Sequence, residues 1–208
     1  MMIKPNFYSI CGYADYEKIF EEKGYAYFTR GQYNLNIIGV RSDNKNKVTN
    51  LFDDLLVVIY KTPNGKWTRQ YYPITTEPGI YYMVKQLLNP KGTSILVPGQ
   101  YRGCWEIGKH QGKYKALVQK KAVKVYRDGN KDDIYDLRPD KIDTGVFGIN
   151  IHRSNEFVKT TFVNSYSAGC QVFSDPNDFK RFLSLCDKQR ELYGNSFTYT
   201  LLDEADVR

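Results

Sequence analysis

The stretch LLVVIYKTPNGKWTRQYYPI, residues 55–74, holds two runs of β-branched and aromatic residues on either side of the turn-forming sequence TPNGKW. Val, Ile and Tyr favour β-strands, whereas Pro, Asn and Gly favour the turn between them. Similar runs predict further strands at residues 25–28, 33–40, 80–84, 93–97, 114–119 and 122–128. Short strands separated by turns that contain Gly and Pro are typical of a sandwich or a barrel. The sequence therefore predicts a mainly β fold.

A short N-terminal segment carries helix signals instead. In DYEKIFEEKG, residues 15–24, Asp15 is a candidate N-cap and Gly24 a candidate terminator. We therefore predict a short helix there, before the first strands.

A second helix is predicted near the C-terminus, in SDPNDFKRFLSLCDKQRELYGN, residues 174–195. Ser174 or Asp175 can cap this helix. Pro176 suits its first turn, and Gly194 stops it. Its apolar side chains follow the i, i+3, i+4, i+7 spacing and are Phe179, Phe182, Leu183 and Cys186. We expect a C-terminal amphipathic helix that packs this face on the core, followed by a frayed or edge terminus at residues 203–208.

Composition and charge narrow the possible partners. The chain has 208 residues and a formal net charge of +7, which favours polyanionic surroundings such as nucleic acid, anionic lipid or cell-wall polymers. Its Lys and Arg residues are scattered except between Lys109 and Arg127. The sequence contains no dense basic run of the kind that is typical of a nucleic-acid-binding arm. No stretch approaches the roughly 20 apolar residues of a transmembrane helix. We therefore expect no nucleic-acid partner and no membrane segment.

Cysteine and histidine usage bears on metal and redox chemistry. The sequence has two histidines and four cysteines, which are His110, His152, Cys11, Cys104, Cys170 and Cys186. No CxxC pair is present, so a structural zinc site is not expected. The cysteines are expected to be free thiols. We predict no metal and no cofactor.

Two motifs carry candidate chemistry. In GVFGINIHRS, residues 145–154, strand alternation would place Asn150 and His152 on the less apolar face. In SYSAGCQVF, residues 165–173, small residues precede Cys170, which allows backbone N–H groups to gather around it as an oxyanion hole requires. A neighbouring imidazole raises the thiolate fraction of a cysteine and later returns the proton. The alternative is a buried cysteine and a strand-end histidine with structural roles.

These two motifs resemble the signature of the L,D-transpeptidase catalytic domain family (YkuD-like), in which a His-Gly pair ends one strand and Ser-His-Gly-Cys opens another. Residues 55–83 are also similar to the strand, hairpin and Pro-x-Gly turn at the start of that domain. The likeness covers roughly residues 50–175. The segments ILVPGQY, INIHR and GCQVF are similar to a phage-borne branch of the family.

The resemblance implies a catalytic domain that acts on peptidoglycan stem peptides. Cys170 would attack a carbonyl of the stem peptide and form a thioester, with His152 as base and then acid. The amides of Gly169 and Cys170 would hold the oxyanion, and Ser167 would orient His152. The family domain would span residues 51–208 and include the C-terminal helix, with residues 1–50 as an N-terminal elaboration packed on the core.

Three positions depart from the family pattern. Ala168 stands where the family has its second motif histidine, Val172 where it has an arginine, and Arg153 where a glycine follows the first histidine. We expect Arg153 to replace the missing arginine in binding a substrate carboxylate. The further residues predicted to bind substrate are Asn150, Gln171 and Tyr101, although Tyr101 is alternatively a core residue.

The sequence leaves two functions open. The first is a cysteine-dependent acyl transfer, either as a transpeptidase or as a carboxypeptidase or endopeptidase, depending on whether an amine or water accepts the acyl group. The second is a non-catalytic cell-wall-binding or phage virion module that retains the fold. The N-terminus lacks a secretory signal pattern, so we expect cytoplasmic synthesis, with the cell wall reached by lysis or within a virion. His110 is expected to be solvated at a hairpin tip, and the alternative is that its glycine-flanked stretch GKHQGKYK, residues 108–115, lines the cleft.

Overall fold

Strands make up most of the regular structure of this protein, whose computed structural model describes residues 5–208. Within that range the strands are β1 (Asn36–Arg41), β2 (Asp54–Lys61), β3 (Trp67–Thr75), β4 (Thr93–Leu96), β5 (Gly99–His110), β6 (Tyr114–Gln119), β7 (Val123–Asp128), β8 (Ile142–Gly145), β9 (Ile151–Arg153), β10 (Gln171–Phe173) and β11 (Phe197–Asp203). The α-helices are α1 (Pro5–Tyr13), α2 (Tyr16–Glu22) and α3 (Pro176–Tyr193). Shorter helical turns cover Tyr81–Lys85, Pro139–Lys141 and Glu204–Val207. The predicted mainly β fold is confirmed.

Strands β2 and β3 form the hairpin that residues 55–74 predict. Their antiparallel register runs from Asp54 opposite Ile74 to Lys61 opposite Trp67. Gly65 in the turn has a φ of 79°, in the left-handed region that favours glycine. Successive side chains of β2 point to opposite faces of the sheet, and both sets are buried. The barrel interior covers one face, and the N-terminal helices cover the other.

In the described part of the chain, eight strands close into a barrel in the order β1-β11-β5-β6-β9-β10-β3-β2. The pairs β1/β11 and β9/β10 are parallel, and the other neighbouring pairs are antiparallel. The interior is filled by large apolar side chains that include Trp105, Leu117, Ile151 and Phe173. A second sheet, in the order β4-β7-β8, is separate in its hydrogen bonding but packs on the barrel, since Leu96 and Val125 belong to the same apolar cluster.

Both predicted helices are confirmed at their caps. The Asp15 carboxylate accepts a hydrogen bond from the Lys18 N–H at the start of α2. Asp175 caps α3 by accepting from the Asn177 N–H, and Gly194 ends it with a φ of 86°. Helix α3 buries the predicted face on the barrel, with Phe179, Phe182 and Cys186 in the core. Burial of one phenylalanine side chain stabilises the fold by about 1.5–3 kcal/mol.

The predicted strand at residues 25–28 is absent, because side-chain amides take the place of a neighbouring strand. The Gln100 amide bonds both the N–H and the C=O of Ala26. The Asn36 amide does the same for Phe28. The backbone of this extended segment is thus satisfied without pairing to a strand.

The predicted strand at residues 80–84 is also wrong. This segment forms the helical turn Tyr81–Lys85, which buries Met83 in a small cluster with Ile95 and Tyr135. Only one of its five side chains needs burial, and a single helical turn satisfies that need. The aromatic content of the segment therefore misled the strand assignment.

The C-terminus is partly buried against the protein rather than frayed. Strand β11, which the sequence patterns did not predict, lies between β1 and β5, and both Glu204 and Val207 after it are buried. Strand β1 falls within residues 1–50 yet pairs with β2 and β11 in the barrel. The first 50 residues thus supply a barrel strand, and the division at residue 50 stays a prediction. No helix within residues 5–208 is long and apolar enough to cross a membrane.

Candidate active site

Strands β9 and β10 bring the two sequence motifs side by side. They pair in parallel, with Val172 opposite His152, and the Gln171 N–H donates to the Asn150 carbonyl at 2.9 Å. The predicted alternation around Asn150 is confirmed, since Ile149 and Ile151 lie in the barrel core. Cys170, two residues before Val172, projects with His152 from the outer face of the barrel.

Cys170 and His152 line the same cavity, which has a volume of about 540 Å³. Asn150 and His110 line it from the barrel side. Ser94 of β4 and Arg127 of β7 line it from the separate three-stranded sheet. The site is therefore a cleft between the outer face of the barrel and the smaller sheet, the kind of concave space in which small ligands bind.

The Cys170 thiol is half-buried and held by backbone groups. The Asn150 N–H donates to its Sγ at 3.4 Å, and the thiol donates to the Gly148 carbonyl at 3.4 Å. Burial raises the pKa of Cys170 to about 11, and the Asn150 N–H offsets only part of that rise. The thiol is therefore protonated at neutral pH.

His152 is 4% exposed, and the Nδ1 atom of its ring is anchored. Nδ1 lies 2.8 Å from the Arg153 carbonyl oxygen and 3.1 Å from the Tyr114 hydroxyl. A carbonyl oxygen only accepts hydrogen bonds, so Nδ1 carries the proton and Nε2 is left as a base. Burial, followed by the neighbouring His110, lowers the pKa of His152 to about 3. The imidazole is therefore neutral.

The two histidines of the sequence stack on one another in this cavity. The centroids of the His110 and His152 rings are 3.9 Å apart, with 20° between the ring planes. His110, at the end of β5, is 8% exposed, so its predicted place in solvent is wrong. The alternative, in which the stretch that contains His110 lines the cleft, fits its place in the cavity, whereas its stacking on His152 joins strands that are distant in the sequence and is encoded by no local pattern.

The expected activation of Cys170 by His152 is not seen at rest. Within residues 5–208 no hydrogen bond joins the Cys170 thiol to the His152 ring. The pKa of the thiol is raised and that of the imidazole lowered, so both groups stay neutral. Proton transfer between them would have to accompany substrate attack, because no thiolate is stored beforehand.

Comparison of the chain with protein-family models, curated proteins and solved structures finds no match. The likeness to the L,D-transpeptidase domain therefore rests on the motif residues alone. Within residues 5–208 no group of three or more His, Cys, Asp or Glu side chains is arranged to hold a metal ion.

Ser167 and Gly169 have structural contacts in the turn before Cys170. The Ser167 hydroxyl donates to the Cys170 carbonyl at 2.8 Å and accepts from the Gly169 N–H at 3.1 Å. The prediction that Ser167 orients His152 is corrected, since its hydroxyl is used within the turn. The Gly169 amide, predicted as an oxyanion donor, is occupied by Ser167. The Cys170 amide is the remaining predicted backbone donor.

Gly169 has a second role, which is steric. Its φ is 119°, and a Cβ at this position would overlap the Ser94 carbonyl oxygen. Only glycine fits this conformation and this close approach of two backbones. The turn that presents Cys170 is thus packed directly against β4.

Arg153 does not line the Cys170 cavity, because alternation along β9 turns it away from His152. Its guanidinium lies 3.9 Å above the centre of the Tyr114 ring and pairs with Glu156 at 3.1 Å. The predicted replacement of the family arginine by Arg153 is therefore corrected. Arg127, which the sequence reasoning did not single out, is the arginine that lines the cavity.

Gln171 and Tyr101 are likewise placed away from the cavity, against the prediction that they bind substrate. The Gln171 amide is buried inside the barrel, where it accepts from the Tyr199 hydroxyl at 2.7 Å and donates to the Gly169 carbonyl at 3.3 Å. It therefore supports the Cys170 turn from behind. Tyr101 packs edge-on against Trp105 and donates to the Val97 carbonyl, which matches the alternative core assignment.

Proposed function

We propose that the protein is a cysteine-dependent acyltransferase or hydrolase that acts on peptidoglycan stem peptides. The observation that carries this proposal is the presence of Cys170 and His152 in one cavity, with Cys170 immediately before β10 and His152 on the neighbouring parallel strand β9. The thiol is accessible, and the Nε2 atom of His152 is free to accept a proton. The motif resemblance to the L,D-transpeptidase domain supplies the substrate class.

The first half-reaction forms a thioester. The Cys170 sulfur attacks the amide carbonyl carbon while His152 Nε2 takes the thiol proton, and the carbonyl electron pair moves to oxygen. Collapse of this tetrahedral intermediate breaks the C–N bond. His152 then gives its proton to the leaving amine, which leaves an acyl group on Cys170.

The second half-reaction removes the acyl group. His152 takes a proton from the attacking water or amine as the new bond to the acyl carbon forms. The C–S bond breaks, and the proton returns to the Cys170 sulfur. Water gives hydrolysis, as in a carboxypeptidase or endopeptidase, and an amine gives transfer, as in an L,D-transpeptidase.

Charge supports the proposed wall substrate. The formal net charge of +7 favours approach to anionic wall polymers. Arg127 brings a positive group to the cavity, although Asp143, 3.1 Å from its guanidinium, offsets part of that charge. We place the action of the protein at the cell wall on this basis.

A second candidate function is a non-catalytic cell-wall-binding or virion module that keeps the fold. It is favoured by the neutral state of Cys170 and His152, which share no hydrogen bond, and by the occupied amide of Gly169. In this alternative the cavity binds a wall peptide without attacking it.

A comparison of the wild-type protein with Cys170→Ala and Cys104→Ala decides between the two. Cys104 is a buried cysteine in the barrel core, so its variant controls for the loss of a thiol as such. Each protein is incubated with muropeptides that carry tetrapeptide stems, and the products are followed by mass spectrometry. We expect loss or exchange of a stem residue with wild type and Cys104→Ala, and none with Cys170→Ala.

Other outcomes would change the conclusion. Activity that survives in Cys170→Ala would contradict the thioester mechanism. If all three proteins are inert but sediment with purified peptidoglycan, the binding module is the better function. A protein that neither acts on nor sediments with the wall would overturn both.

A further inference from the structure

His110, the second histidine of the cavity, has a defined tautomer. The Asn150 side chain fixes it, because its Oδ1 atom accepts the Gln119 N–H at 2.9 Å and its Nδ2 atom must therefore face His110. The His110 Nδ1 atom lies 3.0 Å from that Nδ2 atom. An amide nitrogen only donates, so His110 Nδ1 accepts and the ring proton sits on Nε2.

The two stacked rings therefore carry opposite tautomers. His152 holds its proton on Nδ1, toward the Arg153 carbonyl, and offers a bare Nε2 atom. His110 holds its proton on Nε2 and offers an N–H donor. Within residues 5–208 neither Nε2 atom has a hydrogen-bond partner, and neither is sealed from solvent. Both rings line the cavity that contains Cys170.

The site lacks one of the donors that its mechanism requires. A tetrahedral intermediate needs hydrogen-bond donors at its oxyanion. The Gly169 N–H, the predicted donor, is bonded to Ser167. A neutral N–H donor in the same cavity, with no other partner, can take that role.

We propose that His110 is a second catalytic residue of this cavity, whose Nε2–H donates a hydrogen bond to the substrate carbonyl oxygen while His152 removes the thiol proton. This inference rests on the proposed function only in that Cys170 is the nucleophile. It extends to any acyl substrate whose carbonyl oxygen reaches His110.

His110 acts as a neutral donor rather than as an acid that gives up a full proton. Protonation of Nδ1 would set two donors against each other at Asn150 Nδ2. Burial, together with the positive charges of Lys113 and Arg153, also lowers the pKa of His110. The two stacked rings thus have different roles, since His152 accepts a proton and His110 donates a hydrogen bond.

Two small probes separate this role from simple support of the thiol. p-Nitrophenyl acetate acylates a thiol through a tetrahedral oxyanion. The S–C bond forms, the thiol proton passes to His152, and the C–O bond breaks to release p-nitrophenolate. Iodoacetamide alkylates the same sulfur by displacing iodide, and no oxyanion develops. A donor to the oxyanion therefore affects the first reaction and not the second.

The experiment compares His110→Asn with His110→Gln. The shorter amide reaches the position of Nδ1 and the longer one that of Nε2, so only His110→Gln restores a donor where we propose one. We expect acylation of Cys170 to be about 10²- to 10³-fold slower in His110→Asn and to recover in large part in His110→Gln. Iodoacetamide labelling of Cys170 is expected to be unchanged in both, and near-ultraviolet circular dichroism controls for folding.

Several results would overturn the proposal. These are wild-type acylation rates in His110→Asn, equal losses of acylation and alkylation, and a wild-type Cys170 that is alkylated but never acylated. If either variant is misfolded, His110→Phe, which keeps an aromatic ring in the stack but has no donor, is compared with wild type in the same two reactions. Absence of activity on muropeptides together with the expected split between probes would reject the wall substrate and leave the role of His110 standing.

Discussion

The Nδ1 atom of His152 lies 2.8 Å from the carbonyl oxygen of Arg153, the residue that follows it in the chain. Because a backbone carbonyl holds the ring, the tautomer of His152 does not depend on an acidic side chain. The Nε2 atom is left as the base in the cavity. Replacement of the Arg153 side chain leaves this bond in place, whereas replacement of His152 removes the proposed base.

Under the proposed mechanism, His152→Gln should therefore abolish most of the turnover of stem peptides. Loss of a general base costs about 10²- to 10⁴-fold in rate. The measurement is kcat on a tetrapeptide muropeptide, with circular dichroism to show that the fold is retained. A folded His152→Gln protein with wild-type kcat would show that another group takes the thiol proton.

Arg153→Ala should leave KM for the stem peptide unchanged, because the guanidinium lies over Tyr114 and outside the cavity. Loss of this cation–π contact costs about 0.5–1 kcal/mol of stability. Steady-state kinetics and thermal melting test the two statements separately. A large rise in KM would restore Arg153 as a substrate-binding residue.

Alkylation of Cys170 should accelerate with pH well into the alkaline range. Burial raises its pKa to about 11, and only the thiolate reacts. The labelling rate, followed by mass spectrometry with iodoacetamide, should show no plateau below pH 9. Cys170 should still label before Cys11, Cys104 and Cys186, because those three are buried. A plateau near neutral pH would reveal a thiolate stored by His152.

Gly169→Ala should destabilise the protein and lower the activity of Cys170. The new Cβ would overlap the Ser94 carbonyl, and alanine is strained at a φ of 119°. Strain of this kind costs about 1–3 kcal/mol. Gly112→Ala is the matched control, since Gly112 also has a positive φ but nothing within 4 Å of its Cβ position. Equal melting temperatures for the two variants would show that contact with β4 does not restrict the turn.

Asp53→Asn should stabilise the protein at pH 8 and change little at pH 4. Burial, followed by the adjacent Asp54, raises the pKa of Asp53 to about 7. A folded-state pKa above the unfolded value means that this carboxyl favours folding below about pH 4, and that this contribution is lost as pH rises toward 7. One pKa unit corresponds to about 1.4 kcal/mol. Urea unfolding at both pH values measures the effect, and a variant less stable than wild type at pH 8 would contradict it.

The local elements were predictable wherever one residue type decides the backbone. Asp15, Asp175 and Gly194 mark helix ends by capping chemistry that involves only a few neighbouring residues. The hairpin at residues 55–74 follows from its turn residues and its β-branched runs. The strand predictions for residues 25–28 and 80–84 were wrong. At 25–28 the side-chain amides of Asn36 and Gln100 bond the backbone, and at 80–84 the burial of Met83 favours a helical turn over a strand.

In the candidate site, too, some residues were predictable from the sequence and others were not. Strand alternation was enough to place Asn150 and His152 on one face of their strand, and the motif resemblance paired Cys170 with His152. The positions of the other candidate residues, Arg153, Gln171 and His110, follow only from the closed barrel. It turned Arg153 and Gln171 away from the cavity and stacked His110 on His152, because these contacts join strands that are distant in the sequence.

By itself, then, the sequence determined the mainly β character of the protein and its helix ends, which depend on local periodicity and residue chemistry, and it singled out Cys170 and His152 as a candidate pair through the motif resemblance. Only the tertiary structure decided the protonation state of that pair and which side chains surround it in the cavity. Burial acts on pKa values through the whole surrounding volume, and the partners of a cavity come from strands that meet only when the barrel closes.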